Sequence, residues 1–372
     1  MNARSSKSLI LMLALAAAIT SAFAIALSAF AQGYGGLGTA ADGFDVPSAE
    51  SRMEFPRDHG AHPGFRIEWW YLTANLTGED GRQYGAQWTL FRSALQPPGE
   101  RANPGENAWN AQQLWMGHAA VTTPTKHYLS ETRSRGAFDL AGAQAVPFKA
   151  WINDWSMTAS ATGSAGIDQL AVTASGTEFA YQLNLTAQGP LIFHGEKGYS
   201  VKSAGGQASH YYSQPFYQVQ GELDLPGGKV RVTGTAWIDR EWSSQPLAQD
   251  QHGWDWVSLN FDNGSKLMGF RLRQSNGADF TSATWIASDG TAISIPDGQL
   301  KLTEQATSQG AGREVPTKWK IQLVEQGIDV SIEALNNNAW MDTSFPYWEG
   351  PVVISGSHSG TGYLEMTGYG AK

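Results

Sequence analysis

The sequence has 372 residues, 15 Trp and no Cys, and 25 Lys plus Arg against 34 Asp plus Glu give it a net charge of −9. The missing Cys excludes disulfide scaffolds, thiolate metal sites, cysteine nucleophiles and a lipidated N-terminal Cys. The acidic balance argues against a nucleic-acid partner, and an apolar share of 41 % argues against disorder.

In chain order, residues 1–31 read as an export signal. Arg4 and Lys7 precede the apolar run from Leu9, which ends in Ala29-Phe30-Ala31, a small-x-small cleavage pattern. Cleavage is the expectation, giving a periplasmic or secreted protein with no stable membrane insertion; an uncleaved anchor is the alternative. Residues 32–50 are rich in Gly and Ala and read as a flexible lead-in. Period-2 segments follow. Trp70 to Leu76, the turn Asp80-Gly81 and Tyr84 to Arg92 make one hairpin. Gln218 to Leu225 and Lys229 to Ile238 flank Pro226-Gly227-Gly228 in a second, and Trp254 to Phe261 and Leu267 to Arg273 flank Asp262-Asn263-Gly264 in a third. Lys318 to Glu325 and Ile328 to Leu335 make a fourth, and Gly362 to Gly368 a closing strand. No amphipathic helix longer than three turns stands out, so the fold class is all-β. Trp69-Trp70-Tyr71 and Trp254-Asp255-Trp256 each begin a comparable hairpin, which suggests two related domains, 51–230 and 231–372, with a seam near Pro226 to Thr233.

Four clusters carry candidate chemistry. Asp58-His59-Gly60-Ala61-His62, followed by Glu68-Trp69-Trp70, offers imidazoles and carboxylates for a ligand or a metal; the plainer reading is a loop that satisfies its own amides. Asp239-Arg240-Glu241-Trp242 lies at a strand end, where a barrel mouth would present it. On a strand Asp239 and Glu241 share one face, Arg240 and Trp242 the other. A carboxylate beside an aromatic wall can act as a general acid, or Arg240 can fasten two domains through an ion pair. In Trp254-Asp255-Trp256 the acid faces away from both rings and needs partners, for which Arg240, Arg271 and Arg273 are the candidates. Tyr211 and Tyr212 can line a pocket or simply pack. No G-x-S-x-G elbow, P-loop, dinucleotide fingerprint or HExxH is present, so serine hydrolase and zinc protease chemistry has no support.

The stretches 55–76, 84–92, 150–155, 194–200, 208–215, 232–244, 253–273 and 345–356 together resemble the lipocalin-like family of carotenoid 1,2-hydratases (CrtC) and AttH-like proteins, from about Met53 to Gly368. The resemblance implies two tandem lipocalin-like β-barrel domains. It also implies either a hydratase acting on a terminal isoprenoid double bond or a cyclase acting on a polyene. The hydratases carry His-x-Trp where this sequence has Arg240-Glu241-Trp242; Asp239, Trp242 and Asp255 occupy matching motif positions.

The combined expectation is an exported protein that binds an apolar, isoprenoid or lipid-like ligand and uses no cofactor or metal. Hydrating an alkene needs a proton donor, here Asp239 or Asp255, and a second carboxylate such as Glu241. Trp242, Trp254, Trp256, Tyr211 and Tyr212 are the expected walls, with Glu68, Trp69, His59, His62 and Arg240 as further ligand contacts. The alternative is a non-catalytic periplasmic lipid carrier serving an ABC-type export system. A third reading, sugar binding on Trp platforms, follows from the Trp excess.

Overall fold

A computed structural model describes residues 37, 39, 41–100, 112–160, 166–310 and 312–370 of the chain. The expected leader, 1–31, lies outside the described residues. Thirteen strands form the first sheet: β1 (Ile67–Gly78), β2 (Gln83–Ala94), β3 (Gln113–Thr122), β4 (His127–Ser134), β5 (Ala141–Ala145), β6 (Phe148–Ile152), β7 (Trp155–Ala159), β8 (Gln169–Ser175), β9 (Ala180–Ala187), β10 (Ile192–Phe193), β11 (Tyr199–Val201), β12 (Ala208–Leu225) and β13 (Gly228–Ser243). Ten form the second: β14 (Gln251–Phe261), β15 (Lys266–Gln274), β16 (Phe280–Ile286), β17 (Ala292–Ile295), β18 (Lys301–Gly310), β19 (Arg313–Leu323), β20 (Ile328–Ala334), β21 (Trp340–Met341), β22 (Tyr347–Gly356) and β23 (Gly360–Met366). Among the described residues the only helices are short 3-10 turns.

Both sheets are antiparallel and curl into barrels, as the lipocalin-like expectation requires. Their connections match: the first strand sits mid-sheet and pairs with the last, β1 with β13 and β14 with β23. The similar hairpins at Trp69 and Trp254 are therefore topological counterparts. Asp80-Gly81 closes β1–β2 with Gly81 at φ +77°, a conformation that favours glycine. The turn after Pro226 joins β12 and β13 within one sheet. The change of sheet falls between Ser243 and Gln251.

Three apolar clusters account for most of the Trp. Trp70, Trp88, Trp115, Trp155 and Trp242 belong to the interior of the first barrel, and Trp319, Trp340 and Trp348 to that of the second. A third cluster, with Tyr71, Tyr211, Trp237, Trp256, Phe270 and Tyr363, joins the outer faces of the two barrels. Side chains alternate along a strand. On β1, Trp70 and Leu72 therefore fill the first barrel while Trp69 and Tyr71 face the second; on β14, Val257 and Leu259 point inward and Trp254 and Trp256 outward.

Candidate functional site

A cavity of about 220 Å³ opens where the two outer faces meet. Trp69, Phe91 and Met116 from the first barrel face Trp254, Trp256 and Phe270 from the second. The titratable groups that reach it include Asp239, Glu241, Lys202, Tyr211, Tyr71, His118 and Glu365. The site thus lies between the barrels, not at the barrel mouth expected from the strand-end position of Asp239.

Asp239 is placed by register. It stands opposite Tyr71 on β1 and Ser213 on β12. Its Oδ2 accepts from the Tyr211 hydroxyl at 2.7 Å; its Oδ1 accepts from Trp237 Nε1 at 2.7 Å and from the Ser213 hydroxyl. Tyr211 accepts from Trp256 Nε1 of the second barrel at 3.1 Å. Burial is the main influence on the Asp239 carboxyl and pushes its pKa up to about 7, Glu241 adding to the rise while the three hydrogen bonds oppose it. Asp239 therefore exchanges its proton near neutrality.

Glu365 on β23 approaches from the other wall. Trp254 Nε1 donates to its Oε1 at 2.6 Å. Burial raises its pKa to about 7 against the hydrogen bonds from Trp254 and Tyr71, and Asp239 and Glu241 raise it further. Its cross-strand partner Glu349 accepts from the Tyr71 hydroxyl at 2.5 Å and is pushed well above the usual carboxylate range, first by burial and then by Glu365. Lys202 is the buried cation of the cavity. It pairs with Glu241 at 2.8 Å and lies 4.3 Å from the Phe270 ring centroid and 4.8 Å from that of Tyr211.

The expected residues divide among three places. Asp239, Glu241, Tyr211, Trp69, Trp254 and Trp256 reach the cavity. His59, His62, Glu68, Tyr212, Arg240 and Trp242 do not: they form a separate network that ties the 57–66 loop to the first barrel. Arg240 donates to Glu68 at 3.1 Å and to the carbonyls of Trp69 and Gly60, each at 2.7 Å, and its guanidinium stacks 3.8 Å from the Trp70 ring centroid. His62 stacks on Trp242 at 3.9 Å, and His59 Nδ1 lies 2.7 Å from the Tyr212 hydroxyl. Burial works to raise the Glu68 carboxyl, but Arg92, His62 and Arg240 outweigh it and hold the pKa well below the usual range. The Arg240 ion pair thus joins β13 to β1, and its bond to the Gly60 carbonyl holds the 57–66 loop; both lie within one barrel and do not fasten one domain to another. Asp255, expected as a proton donor, points into the second barrel. There it pairs with Arg271 at 2.7 Å and Arg273 at 3.5 Å and accepts from Tyr369 at 2.9 Å.

Sequence reasoning missed Glu365, Glu349, Lys202, Tyr71 and His118. Glu365 and Glu349 carried one usable signal, an acid within each of the strands 360–366 and 347–356, among Trp, Tyr and Leu. Among the described residues no three His, Asp or Glu side chains converge to hold a metal ion.

Comparison with known proteins places this arrangement. A crystal structure described as an AttH of Nitrosomonas europaea is 32 % identical, with a TM-score of 0.78, covering 88 % of this chain and 99 % of that one. Kievitone hydratase from Nectria haematococca superposes with a TM-score of 0.63 at 14 % identity, covering 88 % of this chain and 98 % of that one, a likeness of fold. A search of curated proteins finds no match. The sequence profile of the AttH-like family matches residues 46–369, through both barrels and the cavity between them, and the chain belongs to that family.

Proposed function

We propose that the protein is a hydratase that adds water across a carbon–carbon double bond of an apolar ligand held between the barrels. The observation that carries this reading is the convergence of Asp239 and Glu365, two carboxyls with pKa values near 7, on one aromatic-walled cavity. Carboxyls so tuned can exchange protons at neutral pH, which is what acid–base catalysis asks of them. Asp239 in its protonated form supplies the proton that makes the new C–H bond. The positive charge left on the neighbouring carbon faces the rings of Trp69, Trp254 and Trp256, each worth about 0.5–2 kcal/mol of attraction. Water adds its oxygen there, and its proton passes to ionised Glu365. Transfer of that proton back to Asp239 through cavity water restores the starting state. The same groups run the reaction in reverse as a dehydration. The related fold of kievitone hydratase supports this reaction class.

The cavity is small beside the roughly 300–1,000 Å³ that encloses a drug-sized ligand. A polyene or isoprenoid ligand of the kind handled by carotenoid hydratases would enter by one end. The leader of residues 1–31 supports export to the periplasm or beyond. The second reading, a lipid carrier serving an export system, draws on the same apolar walls without using the carboxyls. The two separate in one experiment: mass spectrometry of an organic extract of protein purified from its native compartment, before and after incubation. A bound compound that gains one water with wild-type protein and not with Asp239→Asn supports the hydratase. A compound recovered unchanged from both supports the carrier.

A further inference from the structure

The hydrogen bonds behind Asp239 form a polarised chain between the barrels. His194 is fully buried, its Nδ1 2.8 Å from Thr284 Oγ1 of β16 and its Nε2 2.6 Å from Ser213 Oγ of β12. Burial, and then the charge of Lys202, hold its pKa well below the usual value, so the ring is neutral with one N–H. Ser213 donates to Asp239 Oδ1, so its oxygen must accept from His194 Nε2–H, and Nδ1 must accept from Thr284. With Ser213 as the donor to Asp239, this assigns the Nε2–H tautomer to His194. Asp239 Oδ1 then receives two donors, Ser213 and Trp237, which fill both lone pairs of a carbonyl oxygen. When Asp239 is protonated, its hydrogen resides on Oδ2.

Oδ2 has Tyr211 as its partner at 2.7 Å. In the ionised state Tyr211 donates to it; in the protonated state Oδ2–H donates to the Tyr211 oxygen. That oxygen already accepts from Trp256 Nε1 at 3.1 Å. With both lone pairs engaged, the hydroxyl hydrogen of Tyr211 is released from Asp239. Tyr211, Asp239 and Trp256 all line the cavity.

We propose that Tyr211 is the residue that hands the proton to the ligand, that Asp239 reprotonates it from behind, and that His194 is a positioning residue which keeps the Asp239 proton on the oxygen facing Tyr211. The use of this relay in turnover rests on the hydratase reading; its existence does not. In the step, the Tyr211 O–H bond breaks as the ligand C–H bond forms. The Oδ2 proton moves to the Tyr211 oxygen, so tyrosine stays neutral and Asp239 ends as the carboxylate. Burial and the neighbouring Asp239 and Glu241 push the Tyr211 pKa well above its usual value, which suits a phenol that never carries charge. The charged and titratable groups facing Asp239 are Tyr211, Glu241 with its partner Lys202, Tyr71 on β1, His194, and Glu365 on the second barrel, with Glu349 behind Tyr71.

The test reads the indole N–H signals of full-length protein by nitrogen-15 NMR from pH 5 to 9. Trp237 reports on Asp239 directly, and Trp256 reports on Tyr211. The relay predicts that both signals titrate with one midpoint near 7 in wild type, that Tyr211→Phe leaves only Trp237 titrating, and that His194→Leu diminishes the Trp256 response while Trp237 still titrates, whereas His194→Gln, which keeps a donor to Ser213 and an acceptor for Thr284, restores it. Binding of the neutral apolar fluorophore N-phenyl-1-naphthylamine should persist in Tyr211→Phe, while hydration of the extracted ligand falls about 100-fold or more. A silent Trp256 beside a titrating Trp237 overturns the relay and leaves Asp239 as the direct acid. Two silent indoles overturn it as well. A ligand returned unchanged by wild type instead removes the hydratase reading, whatever the indoles do.

Discussion

Glu349 and Glu365 stand directly opposite each other on the paired strands β22 and β23, on the face that meets the first barrel. Like charges in that position repel, and burial adds to the cost of ionising both. The pair keeps a proton at neutral pH, and Glu349, the more deeply buried, holds it. Replacing a neutral carboxyl by an amide of the same shape should therefore change little. Urea unfolding at pH 7 should show Glu349→Gln within about 1 kcal/mol of wild type. Glu349→Ala, which removes a hydrogen-bond partner of the buried Tyr71 hydroxyl and leaves a cavity in its place, should cost at least about 2 kcal/mol.

The raised carboxyls also set a pH dependence. Asp239 and Glu365 have folded-state pKa values near 7, above the roughly 4 of an unfolded chain, so the folded state binds more protons across that interval. Their contribution is fully present below about pH 4 and is lost as pH rises through 7. The double variant Asp239→Asn/Glu365→Gln should thus gain stability relative to wild type between pH 5 and 8. The buried histidines act oppositely: His59, His127 and His210 are lowered to about 4 by burial, so acid destabilises the fold as pH drops from about 6.5 to 4. Thermal melts of both proteins across pH 4 to 9 check the two signs.

Asp239 and Asp255 were equivalent candidates in sequence and are not equivalent in the folded chain. Asp239→Asn should abolish turnover, by about 100-fold or more, with the fold intact. Asp255→Asn removes a charge facing two guanidiniums inside the second barrel and should destabilise by about 3 kcal/mol. Its turnover per folded molecule should match wild type. Paired rate and unfolding measurements on the two variants separate the roles.

The face assignments were legible where alternation alone decides them. Asp239 and Glu241 do share one face of β13, Arg240 and Trp242 the other, and Asp255 does turn from Trp254 and Trp256 toward Arg271 and Arg273. Hairpins with Asp-Gly or Asn-Gly turns were legible because the turn demands those residues. Which face met which was not. From Ala236 to Ser243 every residue of β13 is buried, one side by the barrel interior and the other by the second barrel, so no hydrophobic alternation marks inside from outside. Glu365 joins Asp239 only through the docking of two sheets, and Lys202 reaches Glu241 through the pairing of β11 with β12 and of β12 with β13; neither contact has a local signature in the chain.

The loop network at the first barrel predicts a stability effect without a catalytic one. Arg240→Met keeps an apolar stem but removes the guanidinium that stacks on Trp70, and it leaves Glu68 with one guanidinium partner fewer in a fully buried position. A loss of about 3–5 kcal/mol is expected. Hydrogen exchange should accelerate first in residues 57–66, while the cavity still binds N-phenyl-1-naphthylamine.

The hydration claim is tested most directly by isotope. Protein carrying its own extracted ligand is incubated in oxygen-18 water, and the ligand is recovered for mass spectrometry. Wild type should add one labelled oxygen and two hydrogens per molecule, and Asp239→Asn should add no label. Ligand that stays unlabelled with wild-type protein, or is labelled equally by Asp239→Asn, would contradict it.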